Sequence, residues 1–210
     1  MAAATLTKTR KDSARKPVRN GDKREQILMA AAAVFAGRGY FGARVSDIAQ
    51  KAGVADGTIY LYFKSKEEIL VALFDMAMHR FLDRARAELA ALDGAQARLR
   101  RIAELHLQQA GSHRDLAIVF QVELRQGQKF MERLSTTILA EYLALIRSVV
   151  RAGQEEGTLR RDLPEKVVTK CFFGMLDEMV TNWVLSRRQY RLEDMAPIVS
   201  DLFLSGLKSA

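Results

Sequence analysis

From Lys23 onward apolar residues recur at helical spacing: Ile27, Ala30, Ala31, Val34 and Phe35 share one face, and the pattern stops at Gly37 and Gly39. A short second helix is predicted over 45–52, with Val45, Ile48 and Ala49 on one side, and Gly53 interrupts it. A third is predicted over 56–63. The fourth starts near Lys66, where Glu67 and Glu68 suit the positive end of a helix dipole, and Ile69, Leu70, Leu73, Phe74, Ala77, Met78, Phe81 and Leu82 carry its apolar stripe toward Leu92. Further helices are predicted over 95–110, 114–126, 128–153, 164–187 and 192–207, with breaks at glycine-containing or charged joints. No run alternates with period two. The expected fold is therefore all-α, with nine helices and no sheet.

Residues 1–22 fall outside this pattern. Lys8, Arg10, Lys11, Arg15, Lys16 and Arg19 stand among few apolar residues, which reads as a flexible basic arm that either reaches a polyanion or serves solubility. The expected organisation is this arm, a small helical domain over 23–66 and a larger helical domain over 67–210. Charge sharpens the division. Residues 1–66 hold 13 Lys or Arg against 5 Asp or Glu, whereas residues 67–210 hold 20 of each, so the whole net charge of +8 sits in the first third. A basic segment joined to a neutral body points to a phosphate polymer as partner, because clustered cations neutralise phosphates and release counterions. The longest apolar run, Ile27 to Ala36, is 10 residues; a bilayer span needs about 20. With no export signal read at the N-terminus, the expected location is the cytoplasm, with no membrane partner. Cys171 is the only cysteine, so no intrachain disulfide is possible, and it is expected to be a buried structural thiol.

The segment Val45 to Tyr60 has helix, glycine turn and helix in the spacing of a helix-turn-helix. Ala49 is small where two helices must approach, Gly53 supplies the turn, and Ile48, Val54 and Ile59 are the expected shared core. Thr58, Tyr60, Tyr62, Lys64 and Lys66 remain outside as hydroxyls and cations, the groups that face phosphates.

The run Gly57-Thr58-Ile59-Tyr60-Leu61-Tyr62-Phe63-Lys64-Ser65-Lys66-Glu67-Glu68-Ile69 resembles the signature of the TetR family of regulators. The resemblance covers the first four helices closely, and the chain length and helical remainder agree with it. It implies phosphate contacts from Thr58, Tyr60, Tyr62 and Lys66, and base-edge contacts from Asp56 and Gly57 with Ser46. Two positions depart from the family pattern: Arg44 stands where a capping Thr is usual, and Ala55 where Ser is usual. Each loses a side-chain cap worth about 1 kcal/mol. Arg44 is expected to contact a phosphate instead. The resemblance also implies a homodimer through the last two helices, with Phe172, Met175, Met179 and Trp183 on the shared apolar face. Its two reading heads would lie about 34 to 36 Å apart on a palindromic double-stranded operator.

Two further stretches, Leu116 to Gln126 and Phe173 to Val184, resemble a narrower subgroup, the TetR-type FadR regulators of fatty-acid degradation that release DNA on binding long-chain acyl-CoA. The segment Val54 to Phe63, including Ala55, also looks like that subgroup. An acyl-CoA needs an apolar tunnel, for which Phe120, Leu124, Leu143, Ile146 and Phe173 are the candidates, and cations for its phosphates, for which Arg125, Lys129 and Arg133 are the candidates. Glu123, Asp177 and Glu178 are candidate buried salt-bridge partners. The competing readings are a TetR repressor sensing a drug or other hydrophobic molecule, and an acyl-CoA enzyme or carrier with an incidental basic domain.

Other chemistry finds little support. Gly37 to Gly42 matches G-x-G-x-x-G but follows a helix, so it reads as a helix stop and not a dinucleotide loop. His79, His106 and His113 lack metal-ligand spacing, and neither a Ser-His-Asp arrangement nor a phosphate loop is present. No metal, no cofactor and no catalytic residue is expected.

Overall fold

The computed structural model describes residues 20–123, 138–188 and 190–207. Among these residues there are nine α-helices and no strand: α1 (Asn20–Gly42), α2 (Val45–Ala52), α3 (Asp56–Tyr60), α4 (Lys66–Ala90), α5 (Ala95–Ser112), α6 (Arg114–Ile118), α7 (Ile138–Glu155), α8 (Glu165–Leu185) and α9 (Ala196–Leu207). A π-helical turn, Val119–Glu123, continues α6, and a 3-10 turn, Leu192–Met195, leads into α9. The basic arm up to residue 19, and the predicted break between the sixth and seventh helices, lie outside the described residues. No described helix is long and apolar enough to cross a membrane.

Two boundaries differ from the sequence pattern. The first helix runs past its predicted stop, because the chain resumes helical geometry after Gly39, whose φ of 72° and ψ of 155° break the helix locally. Only glycine adopts such dihedrals without strain. The third helix ends at Tyr60 and not at 63; the Phe63 amide still donates to the Ile59 carbonyl at 3.0 Å, which turns the Phe63 ring into the core.

One apolar core runs through the molecule. α1 packs on α2 and α4 and also on α6 and the π turn, so the first helix touches both halves of the chain. α4 belongs to both halves as well: Ile69, Leu70 and Leu73 are fully buried toward its start, and Leu82 and Ala85 toward its end. Ser65 caps it by accepting from the Glu68 amide at 3.1 Å, and the Glu68 carboxylate accepts from the Lys64 amide at 2.7 Å. These two bonds satisfy donors that a helix start leaves unpaired. α5 is the central strut, touching α4, α7, α8 and α9. Its crossing with α7 is close: a Cβ on the buried Gly153 would lie 2.5 Å from the Ala95 Cβ.

α8 presents a wide apolar surface, and the structure divides it. Phe172 is completely buried within its own chain, its ring 5.0 Å from that of Phe203 on α9. Trp183 is also buried; its indole N–H donates to the Tyr190 carbonyl at 3.0 Å, and the Arg114 guanidinium lies 4.5 Å above its ring. Met175 and Met179 are half-buried against the same core. The residues left outside are Val167, Leu185, Ile198 and Leu202, each more than half exposed. Cys171 is exposed, contrary to its expected burial, because the helical turn that sends Phe172 inward points its neighbour out.

Candidate DNA-reading head and effector pocket

The helix-turn-helix forms as its sequence dictates. Ala49 is fully buried at the crossing of α2 and α3, and Gly53 ends α2 in the left-handed region, φ 66° and ψ 35°. The Val54 amide donates back to the Ala49 carbonyl at 3.0 Å and the Gly53 amide to that of Gln50 at 3.1 Å, closing the helix end. Ile48 and Ile59 are buried beneath the turn, and Val54 is half-buried. Neither Arg44 nor Ala55 supplies a side-chain cap. Asp47 repairs part of that loss: its carboxylate accepts from the Arg44 amide at 3.0 Å and pairs with Arg38 at 2.9 Å.

The candidate DNA contacts fall into three groups. Arg44, Ser46, Asp56, Gly57, Tyr60 and Lys64 are exposed on α2, α3 and their flanks. Thr58 and Tyr62 are half-buried beside them. Lys66 is placed differently. Its ammonium donates to the Tyr40 carbonyl at 2.7 Å and the Ala43 carbonyl at 2.9 Å, and stands 4.6 Å from the centre of the Tyr40 ring. A cation at the C-terminal end of a helix satisfies unpaired carbonyls and opposes the negative end of the dipole. In this structure Lys66 therefore clamps the end of α1 to the start of α4, and its donors are turned inward. Leu61, 81% exposed between the two tyrosines, escaped the sequence reading because an apolar residue in a helical signature reads as core.

A cavity of about 150 Å³ opens in the larger part of the chain, between α4, α5, α6, α7 and α8. Aromatic rings form much of its wall. Phe74 and Phe120 meet edge to face at 5.0 Å, Phe81 and Tyr142 at 4.9 Å, and Phe173 stands 5.9 Å from Tyr142. Polar groups converge on one side: His106 Nδ1 lies 2.9 Å from the Tyr142 hydroxyl, and Gln121 donates to Asp177 at 2.9 Å while accepting from Thr181 at 3.1 Å. Desolvation among the rings pulls the His106 imidazole down to about 4, with Asp177 opposing the shift, so it is neutral near pH 7. The same burial pushes the Tyr142 phenol far above its usual range. The wall is thus largely apolar, with a few convergent polar groups from His106, His113, Gln121 and Asp177, the usual make-up of a small-molecule site.

The sequence-derived effector set overlaps this wall in part. Phe120 and Phe173 line the cavity. Ile146 is fully buried and Leu143 half-buried on α7, but neither reaches it. Leu124, Arg125, Lys129 and Arg133 lie outside the described residues. Glu123 is buried as expected, whereas Asp177 is half-buried and Glu178 exposed. His106, Tyr142, Phe74 and Phe81 were missed, because each sits on a helix whose period marks an inward face without marking which inward residues line a void.

Two stretches of the chain match known families. Residues 27–73 match the family described as bacterial regulatory proteins, tetR family, and residues 74–206 match that described as YsiA-like protein, C-terminal region. The chain is 37% identical over 182 residues to a fatty acid metabolism regulator protein of Bacillus subtilis, covering 87% of this chain and 94% of that one. It is similar to the solved fatty acid degradation regulator FadR of Bacillus halodurans, with a TM-score of 0.85 and 38% identity over 91% of this chain and all of the other. It is also similar to FadR of Bacillus subtilis in complex with stearoyl-CoA, with a TM-score of 0.83 and 37% identity over 87% of this chain and 98% of that one. A signature helix-turn-helix, an all-helical body and similarity that extends across both therefore agree: the chain belongs to the TetR family of bacterial regulators.

Proposed function

We propose that this protein is a DNA-binding transcriptional repressor whose grip on its operator is relieved by long-chain acyl-CoA, and that it controls genes of fatty-acid degradation. It acts by binding, in the cytoplasm, and catalyses no reaction. The observation that carries the reading is the aromatic-walled cavity, in a chain 37% identical to a FadR solved with stearoyl-CoA. An acyl tail transfers from water into such a wall at roughly 0.8 kcal/mol per buried methylene, so a long chain binds where a short one does not. Residues 23–66 serve as the reading head, with Arg44, Ser46, Asp56, Gly57, Thr58, Tyr60, Tyr62 and Lys64 toward the duplex. Residues 67–210 serve as the effector and dimerisation body.

The functional unit is a homodimer on a palindromic operator. The exposed Val167, Leu185, Ile198 and Leu202 form an apolar outer face on α8 and α9, which favours pairing of these helices with those of a second copy. Met175 and Met179 of α8 are half-buried, and Phe172 and Trp183 are buried within the chain.

A mobility-shift titration tests the reading. Stearoyl-CoA at micromolar concentration is expected to release the protein from a duplex selected from random sequence. An intact complex in its presence, with release by an unrelated hydrophobic drug, would replace acyl-CoA by the drug-sensor reading. Turnover of the thioester would replace repression by enzymology. Native mass spectrometry of the purified protein is expected to show a co-purified thioester.

A further inference from the structure

The π turn after α6 joins the cavity to the reading head. Phe120 faces the cavity and meets Phe74 of α4, and Gln121 faces the cavity and bonds Asp177 and Thr181 of α8. Glu123, two residues on, leaves the cavity altogether. Its buried carboxylate accepts a hydrogen bond from the Tyr40 amide at 2.6 Å, across 83 positions of sequence. That amide follows Gly39, the residue whose φ of 72° bends the end of α1. The carboxylate packs directly against the bend: a Cβ on Gly39 would meet Glu123 Oε2 at 3.6 Å, an ordinary contact, so it is the positive φ and not lack of space that calls for glycine there. On the other side of the same turn, Lys66 holds the Tyr40 and Ala43 carbonyls. The bend that aims α2 and α3 is thus gripped from the cavity side by Glu123 and from α4 by Lys66.

We propose that Glu123 is a positioning residue through which the filling of the cavity sets the seating of the DNA-reading head. A π turn carries one residue more than an α-helical turn, and such turns are frequent at functional sites. An occupant that displaces Phe120 or Gln121 rotates this turn, and the carboxylate, three and two residues away, withdraws from the Tyr40 amide. The Gly39 bend is then free to change, and α2 and α3 change with it. A burial cost makes the device two-state: a buried carboxylate is stable only while its partner is present. The part of the proposal that concerns the occupant rests on the acyl-CoA reading above; the part that concerns the grip on Tyr40 does not.

The test uses the full chain and three variants. Glu123→Gln keeps an acceptor of the same reach, Glu123→Asp keeps the charge but falls short by a methylene, and Glu123→Ala removes both. Hydrogen exchange at the Tyr40 amide is expected to be slow in the wild type and in Glu123→Gln, and at least tenfold faster in Glu123→Asp and Glu123→Ala. Affinity for the selected duplex is expected to follow the same order, with a loss of about tenfold in the short variants. Stearoyl-CoA is expected to accelerate Tyr40 exchange in the wild type and to leave it unmoved in Glu123→Ala. If Glu123→Ala does not fold, Glu123→Asp decides. Stearoyl-CoA that binds by native mass spectrometry yet leaves Tyr40 exchange and duplex affinity unchanged overturns the coupling. Equal duplex affinity in all four proteins overturns the positioning role. If stearoyl-CoA does not bind at all, the acyl-CoA reading fails, and the positioning role stands or falls on duplex affinity alone.

Discussion

Lys66 separates a structural cation from a phosphate-binding one. The family signature places it against the DNA backbone, whereas the structure turns its ammonium onto the Tyr40 and Ala43 carbonyls and the Tyr40 ring. Replacement by Met keeps the stem and removes the charge. Two charge-assisted hydrogen bonds at about 1.5 to 3 kcal/mol each, less the share that water restores to the exposed end of α1, and a cation-ring contact of about 0.5 to 1 kcal/mol set the expected loss. Lys66→Met should therefore lower the free energy of unfolding by about 2 to 4 kcal/mol, measured by urea titration. Duplex affinity measured across salt concentrations supplies the second readout. A single phosphate contact contributes about 0.9 to the slope of log affinity against log salt. Lys66→Met should leave that slope unchanged, while Lys64→Ala, at an exposed position, should make it shallower by about 0.9. A Lys66→Met protein of unaltered stability whose salt slope falls by that amount would refute the clamp.

Three further outcomes follow from the geometry. His106 has a folded-state pKa of about 4 against an ordinary value of 6.5, so the unfolded chain binds the extra proton between them; stability is complete above about pH 6.5 and falls as the pH drops toward 4, by about 2 kcal/mol with allowance for solvent in the cavity. Denaturation of wild type and His106→Leu at pH 7 and pH 5 checks this, and equal pH sensitivity in the two would remove His106 as the cause. Gly153→Ala forces a Cβ to within 2.5 Å of Ala95 and 2.6 Å of Leu159, so a loss of about 2 kcal/mol or more is expected in thermal unfolding, and an unchanged melting temperature would contradict the close crossing of α5 and α7. Leu202→Glu places a charge on the outer face of α9 and should convert dimer to monomer in sedimentation velocity, with helical content retained; a dimer that persists would move the interface elsewhere.

Much of this architecture is local in origin, and for that reason it was legible from residue order. An apolar period of 3.6 marks a helix wherever it occurs, Gly53 marks its turn by a backbone freedom that no other residue shares, and the run from Gly57 to Ile69 carries its signature within thirteen consecutive positions. The segregation of charge into the first 66 residues is likewise a property of sequence alone. Phe120 and Phe173 were legible as cavity residues because they sit in the two stretches that resemble a ligand-binding subgroup.

What periodicity does not encode is the identity of the neighbour. It states that Phe172, Trp183 and Ile198 lie on apolar helices, yet only packing buries the first two within one chain and leaves the third exposed. It gives Lys66 a charge, yet only the return of α1 beside α4 supplies the carbonyls that hold it. His106 and Tyr142 become a hydrogen-bonded pair 36 positions apart because α5 and α7 both face the cavity, and Tyr40 and Glu123 become one 83 positions apart because the π turn after α6 packs against α1. Helix formation is decided among residues a few positions apart, whereas cavities, clamps and buried hydrogen-bond partners are decided by which faces meet, and that choice belongs to the chain as a whole.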